Sequence, residues 1–185
     1  MCRLFGFRSV IQSQVHRSLM DADNALGMQS TNHRDGWGVA FYVDGAPHIT
    51  RSPTTAIDCA LFQRVRGIVA SETVLAHVRR ATNGENSVLN CHPFQYGKWV
   101  MAHNGDIQSF PEHRADLVQR VAPRLRRYIL GETDSEVLFF LCVTLLSLVG
   151  RRSGGVAVGG ARGGGRWARG EGRAGGVGVG GVGRG

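Results

Sequence analysis

The segment GWGVAFYVDGAPHITRS, residues 36–52, holds two runs rich in β-branched and aromatic residues on either side of Asp44-Gly45. An Asp-Gly pair between such runs is the signal of a two-residue hairpin, because both positions tolerate a positive φ. A hairpin makes its two strands antiparallel. Working outward, CRLFGFRSV (2–10) alternates like a strand that starts at the terminus. Residues 17–30 have loose helical periodicity and then break into the loop that leads to Gly36. AIDCALFQRVRGIV (56–69) carries apolar residues at helical spacing, and TVLAHVRRAT (73–82) reads as a strand running into a loop. KWVMAHNGDI (98–107) is a further strand ending at Asn-Gly. PEHRADLVQRVAPRLRRYIL (111–130) reads as a helix interrupted at Pro123. TDSEVLFFLCVTLLSL (133–148) opens on a capping pattern, Thr133 to Glu136, ahead of an apolar helix. Strands come first and around helices with no strict alternation, so the expected class is α+β with mostly antiparallel sheet.

The chain has 185 residues, enough for one domain with a core, and a formal net charge of +8. That charge is uneven. Residues 151–185 hold seven arginines against a single glutamate, which leaves about +2 for residues 1–150. The body is therefore not a basic nucleic-acid binder. The same tail contains sixteen of the 27 glycines and one large aromatic residue, Trp167. Such a segment buries too little surface to offset its ordering entropy, so residues 151–185 are expected to be disordered and residues 2–150 to form the domain. The tail reads either as an RNA-binding arm or as an extension without a function of its own.

Four cysteines, at 2, 59, 91 and 142, include no CxxC pair, which argues against zinc. The first eighteen residues are too polar for an export signal, so a cytoplasmic protein without disulfides is expected. The longest apolar run, residues 137–149, is shorter than the roughly 20 residues of a membrane span.

Four stretches could carry chemistry. Cys2 becomes the first residue once Met1 is removed, which a small residue at position 2 permits. It would then hold a thiol and a free α-amine on one carbon. The amine titrates near 7.7–8.0 and a free thiol near 8.5, both approximate, so the amine can serve the thiol as a base. HVRRATNG (77–84) puts arginines at a strand end, where a guanidinium can grip a carboxylate. Strand alternation would send Arg79 and Arg80 to opposite faces, with one of them in a pocket. MAHNGDI (101–107) reads as a turn, or as an oxyanion hole built from the Asn104 amide and the Gly105 N–H. GETDSEV (131–137) reads as a helix cap, with Asp134 free to meet an ammonium if Thr133 does the capping. His77, His92, His103 and Cys91 match no zinc spacing, and His92-Pro93-Phe94 is read as shaping a loop.

In order along the chain, MCR, RDGWGVAFY, HVRRAT, HPF, MAHNGDI and GETDSE resemble the class II glutamine amidotransferase domain, the cysteine-first branch of the N-terminal-nucleophile hydrolases. The likeness is to its small stand-alone members, a group that includes hydrolases of γ-glutamyl compounds. It runs from residue 2 to about 145. It implies a four-layer αββα sandwich of two antiparallel sheets, incomplete at the C-terminus because the family domain continues past the last matching motif. It implies Cys2 as nucleophile with its α-amine as base, Asn104 and Gly105 as the oxyanion hole, and Arg79 with Thr82 on the substrate α-carboxylate. Asp134 would hold the α-ammonium, and Asp35 and Gly36 would pack near the site. The implied substrate is glutamine or a γ-glutamyl compound, with no cofactor and no metal, and with an ammonia-accepting partner as a possibility. Two alternatives stay open at this point: an inactive, truncated relative, and an RNA-associated protein acting through the tail.

Overall fold

The computed structural model describes residues 2–22 and 24–152. The hairpin forms where the sequence puts it. β2 (Trp37–Val43) pairs antiparallel with β3 (Ala46–Ser52), from Trp37 opposite Ser52 to Val43 opposite Ala46. Both turn residues have positive φ, 49° at Asp44 and 77° at Gly45. β4 (Ala70–Val78) takes the other edge of β2, and β1 (Arg3–Gln14) pairs with the far side of β4. The sheet order is β1-β4-β2-β3, with every pair antiparallel. β4 thus inserts between two strands that precede it in the chain. Its register puts Arg3 of β1 and Trp37 of β2 both opposite Val78, so three strand ends meet at one corner.

One face of this sheet is apolar, and it is covered. Val39, Val74, Ala76 and Val78 are buried together with Val15 and Leu19, and α2 (Ala60–Ile68) lays Phe62 and Val65 on them. Trp37 meets Phe62 edge to face at 5.0 Å. The helical reading of residues 17–30 yields less helix than expected: a π-type turn at Arg17–Asp21 and a one-turn α1 (Leu26–Gln29). Asp21 ends the first and Asn24 lies between the two, and such short polar side chains favour turns over helix interiors.

The second half of the chain builds its own core. β5 (Phe94–Tyr96) and β6 (Trp99–Met101) form a two-stranded antiparallel sheet. α3 (Phe110–Arg120), α4 (Pro123–Arg126) and α5 (Asp134–Arg152) follow. Phe94, Val121, Leu125, Phe139, Phe140 and Val143 pack together. The strand expected over 98–107 keeps only three residues, because the chain leaves the sheet at Ala102 to make an irregular turn. Pro123 breaks the helix as its missing N–H requires, and the N–H of Ala122 is donated to Thr144 Oγ1 at 3.0 Å.

α5 starts on a modified capping box. Thr133 Oγ1 accepts the N–H of Glu136 at 3.3 Å. The Glu136 carboxylate reaches further back than usual, accepting the N–H groups of Leu130 (3.1 Å) and Gly131 (2.7 Å). Burial pushes the Glu136 carboxyl above the ordinary carboxylate range, and those two donors pull against that shift.

The two halves meet along the loop before β5. Arg51 Nη1 donates to the Cys91 carbonyl at 2.9 Å, and Tyr42 Oη donates to the Lys98 carbonyl at 3.0 Å. The His92 carbonyl oxygen lies directly against Gly38, and the His92–Pro93 bond is cis. The class is α+β, two antiparallel sheets with helices, as the sequence predicts. No helix among the described residues is long and apolar enough to cross a membrane. α5 runs to Arg152, past the expected boundary at 150, while residues 153–185, where the tail reading falls, lie outside the described residues.

Candidate active site

The corner where β1 begins and β4 ends opens into a narrow cleft with a cavity volume of about 20 Å³. Cys2, Arg79, Thr82, Gly105 and Asp134 all contribute to its wall. Residues 132 positions apart in the chain are thereby brought together. Asn104 is the one expected site residue outside the wall; it sits next to Gly105 on the same turn, exposed.

The Cys2 sulfur is gripped by main chain. Arg80 N–H donates to Sγ at 3.3 Å, and the Sγ–H points to the Arg80 carbonyl at 3.4 Å. The antiparallel register of β1 on β4 sets this contact, since Arg3 is paired with Val78. Burial pushes the Cys2 thiol above its ordinary value, and the Arg80 hydrogen bond and the positive charge of Arg79 only partly offset it. The neutral thiol therefore prevails at neutral pH, and a nucleophilic role would need a base nearby.

β4 ends at Val78, so strand alternation no longer governs the next two residues; Arg79 is buried and Arg80 is exposed, and both residues line the cleft, Arg80 with its main chain at the Cys2 sulfur. Arg79 is only 2% exposed. Its guanidinium donates to four carbonyl oxygens: Asp35 (3.4 Å), Asn83 (2.8 Å), Gly84 (3.1 Å) and Glu85 (3.1 Å). It thus holds the loop after Thr82 in place. Asp35 supports the same corner, its Oδ2 accepting the Ala81 N–H at 2.8 Å. Its backbone N–H bonds the Arg79 carbonyl, and Arg79 N–H bonds the Gly36 carbonyl. The packing role expected of Asp35 and Gly36 is the one observed.

Asp134 opens α5 and is 3% exposed. Its Oδ2 accepts the Ile107 N–H at 2.7 Å, and its Oδ1 accepts the Ser135 N–H at 2.7 Å. Thr133 does the capping, so the Asp134 carboxylate is not needed for it. Across the mouth of the cleft, Asn83 Nδ2 donates to Asp106 Oδ1 at 2.6 Å. This bridge joins the Arg79-held loop to the turn at Gly105.

Behind the wall stand two buried histidines. His77 and His92 have ring centroids 4.3 Å apart, and no nitrogen of either ring has a hydrogen-bond partner among the described residues. Burial, with the Arg79 charge adding to it, lowers His77 from 6.5 to about 3. Burial and the neighbouring His77 hold His92 well below the ordinary imidazole range. Both rings are neutral, and among the described residues no group of three or more His, Cys, Asp or Glu side chains could hold a metal ion. Residues 77 and 92 share no motif, so the sequence names both histidines without predicting that their rings meet. Ser135 and His103, whose side chains meet at 3.0 Å, lie inside the GETDSEV and MAHNGDI stretches, and nothing in either stretch predicts that the two side chains meet.

Comparison with known proteins adds to this geometry. A family model described as class II glutamine amidotransferases matches residues 1–159. The chain is similar to the "Probable glutamine amidotransferase DUG3" of Saccharomyces cerevisiae, 33% identical over 167 residues, covering 81% of this chain and 47% of that protein. It is also similar to the γ-glutamyl-hercynylcysteine sulfoxide hydrolase of Mycobacterium tuberculosis strain H37Rv, 35% identical over 117 residues, covering 58% of this chain and 50% of that protein. In fold it resembles a solved class II glutamine aminotransferase domain protein from Silicibacter pomeroyi. The TM-score is 0.59 at 23% identity, covering 83% of this chain and 59% of that one. The chain spans about half, or less, of the length of the curated relatives it matches.

Proposed function

The chain belongs to the class II glutamine amidotransferase family, and from that premise we propose that it hydrolyses the γ-amide of glutamine or of a γ-glutamyl compound through a thioester on Cys2. The observation that carries the reading is the convergence of Cys2, Arg79, Thr82, Gly105 and Asp134 on one cleft.

Removal of Met1 frees the α-amine of Cys2. The amine takes the thiol proton and the sulfur attacks the γ-carbonyl carbon. The raised thiol pKa supports the need for that base. The carbonyl electrons move onto oxygen, where the Gly105 N–H and the Asn104 side-chain amide donate to it. Asn104 reaches the oxyanion by turning in from its exposed position beside Gly105. Collapse expels the leaving amine, which takes the proton from the α-ammonium and leaves a γ-glutamyl thioester. Water, deprotonated by the same amine, attacks the thioester. Glutamate departs and the sulfur recovers its proton.

Recognition of the glutamyl end falls to charge. Asp134 attracts the substrate α-ammonium. Arg79 and Thr82 meet the α-carboxylate, which competes with the carbonyls of Asn83, Gly84 and Glu85 for the guanidinium. Substrate binding is therefore coupled to the loop after Thr82. The released ammonia goes to water or to an accepting partner, and the reaction belongs in the cytoplasm.

The test is an intact mass of the purified protein before and after treatment with a glutamine-analogue electrophile. Loss of Met1 and one adduct on the first residue are expected. The Cys2→Ala protein should take no adduct and release no glutamate. Hydrolysis by Cys2→Ala at the parent rate would sink the reading.

A further inference from the structure

Ser135 has no part in the chemistry above, yet its side chain is buried at the edge of the cleft, 3% exposed, between two groups that matter. We propose that Ser135 is a positioning residue for the turn at residues 103–107, acting through the imidazole of His103. The inference rests on the oxyanion reading of Gly105.

The hydrogen-bond directions follow from what each group can donate. The Asp134 carboxylate only accepts. Its Oδ1 lies 3.2 Å from Ser135 Oγ, so the hydroxyl proton goes to Asp134. The hydroxyl oxygen then has lone pairs to offer and no proton left. His103 Nδ1 sits 3.0 Å from that oxygen and is therefore the nitrogen that donates its N–H to it.

The ring so oriented is the floor under Gly105. A Cβ on residue 105 would lie 2.5 Å from His103 Nε2 and 2.6 Å from Cε1. With the ring held at this angle only a residue without a side chain fits against it, so the position of Gly105 and the angle of the ring are coupled. The far side of the turn is fixed separately, by the Ile107 N–H on Asp134 Oδ2 at 2.7 Å. Two adjacent residues at the start of α5 thus pin both flanks of the turn. Removing the Ser135 hydroxyl frees the ring on one flank and leaves the other held. The Gly105 N–H then loses its fixed aim, while the Asp134 carboxylate, which gives up one hydrogen bond, is still held by the N–H groups of Ile107 and Ser135.

The experiment pairs kinetics with nitrogen-15 NMR of histidine-labelled protein. In Ser135→Ala, kcat for γ-glutamyl hydrolysis should fall between about 10- and about 100-fold, the range expected of a small misplacement, with KM within about twofold. Ser135→Thr, which keeps the hydroxyl, should restore kcat. In the parent, His103 should show the tautomer protonated at Nδ1, and in Ser135→Ala that preference should disappear. An unchanged kcat in Ser135→Ala overturns the proposal, as does a parent His103 protonated at Nε2. If Ser135→Ala does not fold, the parent tautomer and the Thr variant decide. A parent that takes no electrophile on Cys2 and releases no glutamate refutes the hydrolase reading instead, and the tautomer still reports on the Ser135–His103 bond alone.

Discussion

Several residues at the site are held in states that cost something elsewhere. His77 is neutral because burial disfavours its charge, with a folded value of about 3 against 6.5 for the free group. Below 6.5 the unfolded chain takes up a proton that the folded chain refuses. The contribution of His77 to stability is therefore complete above pH 6.5 and is lost as pH falls from there towards 3. The slope is about 1.4 kcal/mol per pH unit for one such proton. Urea unfolding of the parent at pH 7, 6 and 5 should show this decline. His77→Phe should flatten it by about one proton, whatever its effect at pH 7. The residue scale is also where the sequence was least informative. Cys2, Arg79, Thr82, Gly105 and Asp134, which converge on one cleft, each lie in a short, patterned stretch. The His77–His92 pair and the Ser135–His103 bond are contacts between stretches, and such contacts leave no local pattern to read.

At the level of elements, the legible features were those decided within a dozen residues. The hairpin at Asp44-Gly45, the break at Pro123 and the Thr133 cap each follow from backbone chemistry that neighbours set. Where tertiary contacts decide, local pattern is not enough. The turn at the cleft cuts the strand expected over 98–107 to three residues, and β5 has no local signal because only its pairing makes it a strand. The insertion of β4 between β1 and β2 is likewise a matter of partners. One contact between elements can be tested directly. A Cβ on Gly38 of β2 would collide with the His92 carbonyl oxygen, which is backbone and has little room to yield. Gly38→Ala should destabilise the fold by about 3 kcal/mol or more, beyond the usual cost of a point substitution, and lower the thermal midpoint accordingly. A midpoint equal to that of the parent would mean that the loop can step aside.

On the scale of the whole molecule, two packed cores stand side by side, one under the four-stranded sheet and one among β5, β6 and the last three helices. The C-terminal part of α5 extends past its core, with Leu145 62%, Leu146 44% and Leu148 52% exposed. Half-exposed leucines contribute less to folding than buried ones and favour association. Replacing Leu145 and Leu148 together with lysine should change the unfolding free energy by less than about 1 kcal/mol and raise solubility, measured as the concentration at which scattering begins. A large loss of stability would show that these side chains are covered in solution. The cleft itself lies on the seam between the cores: Cys2, Arg79 and Thr82 arrive with the sheet, Gly105 and Asp134 with the helical half. Neither half carries the machinery alone. On the proposed reading turnover is in this sense conditional on docking: a nascent or partly melted chain would hold its thiol without its cradle and stay silent towards the amides around it until the last step of assembly.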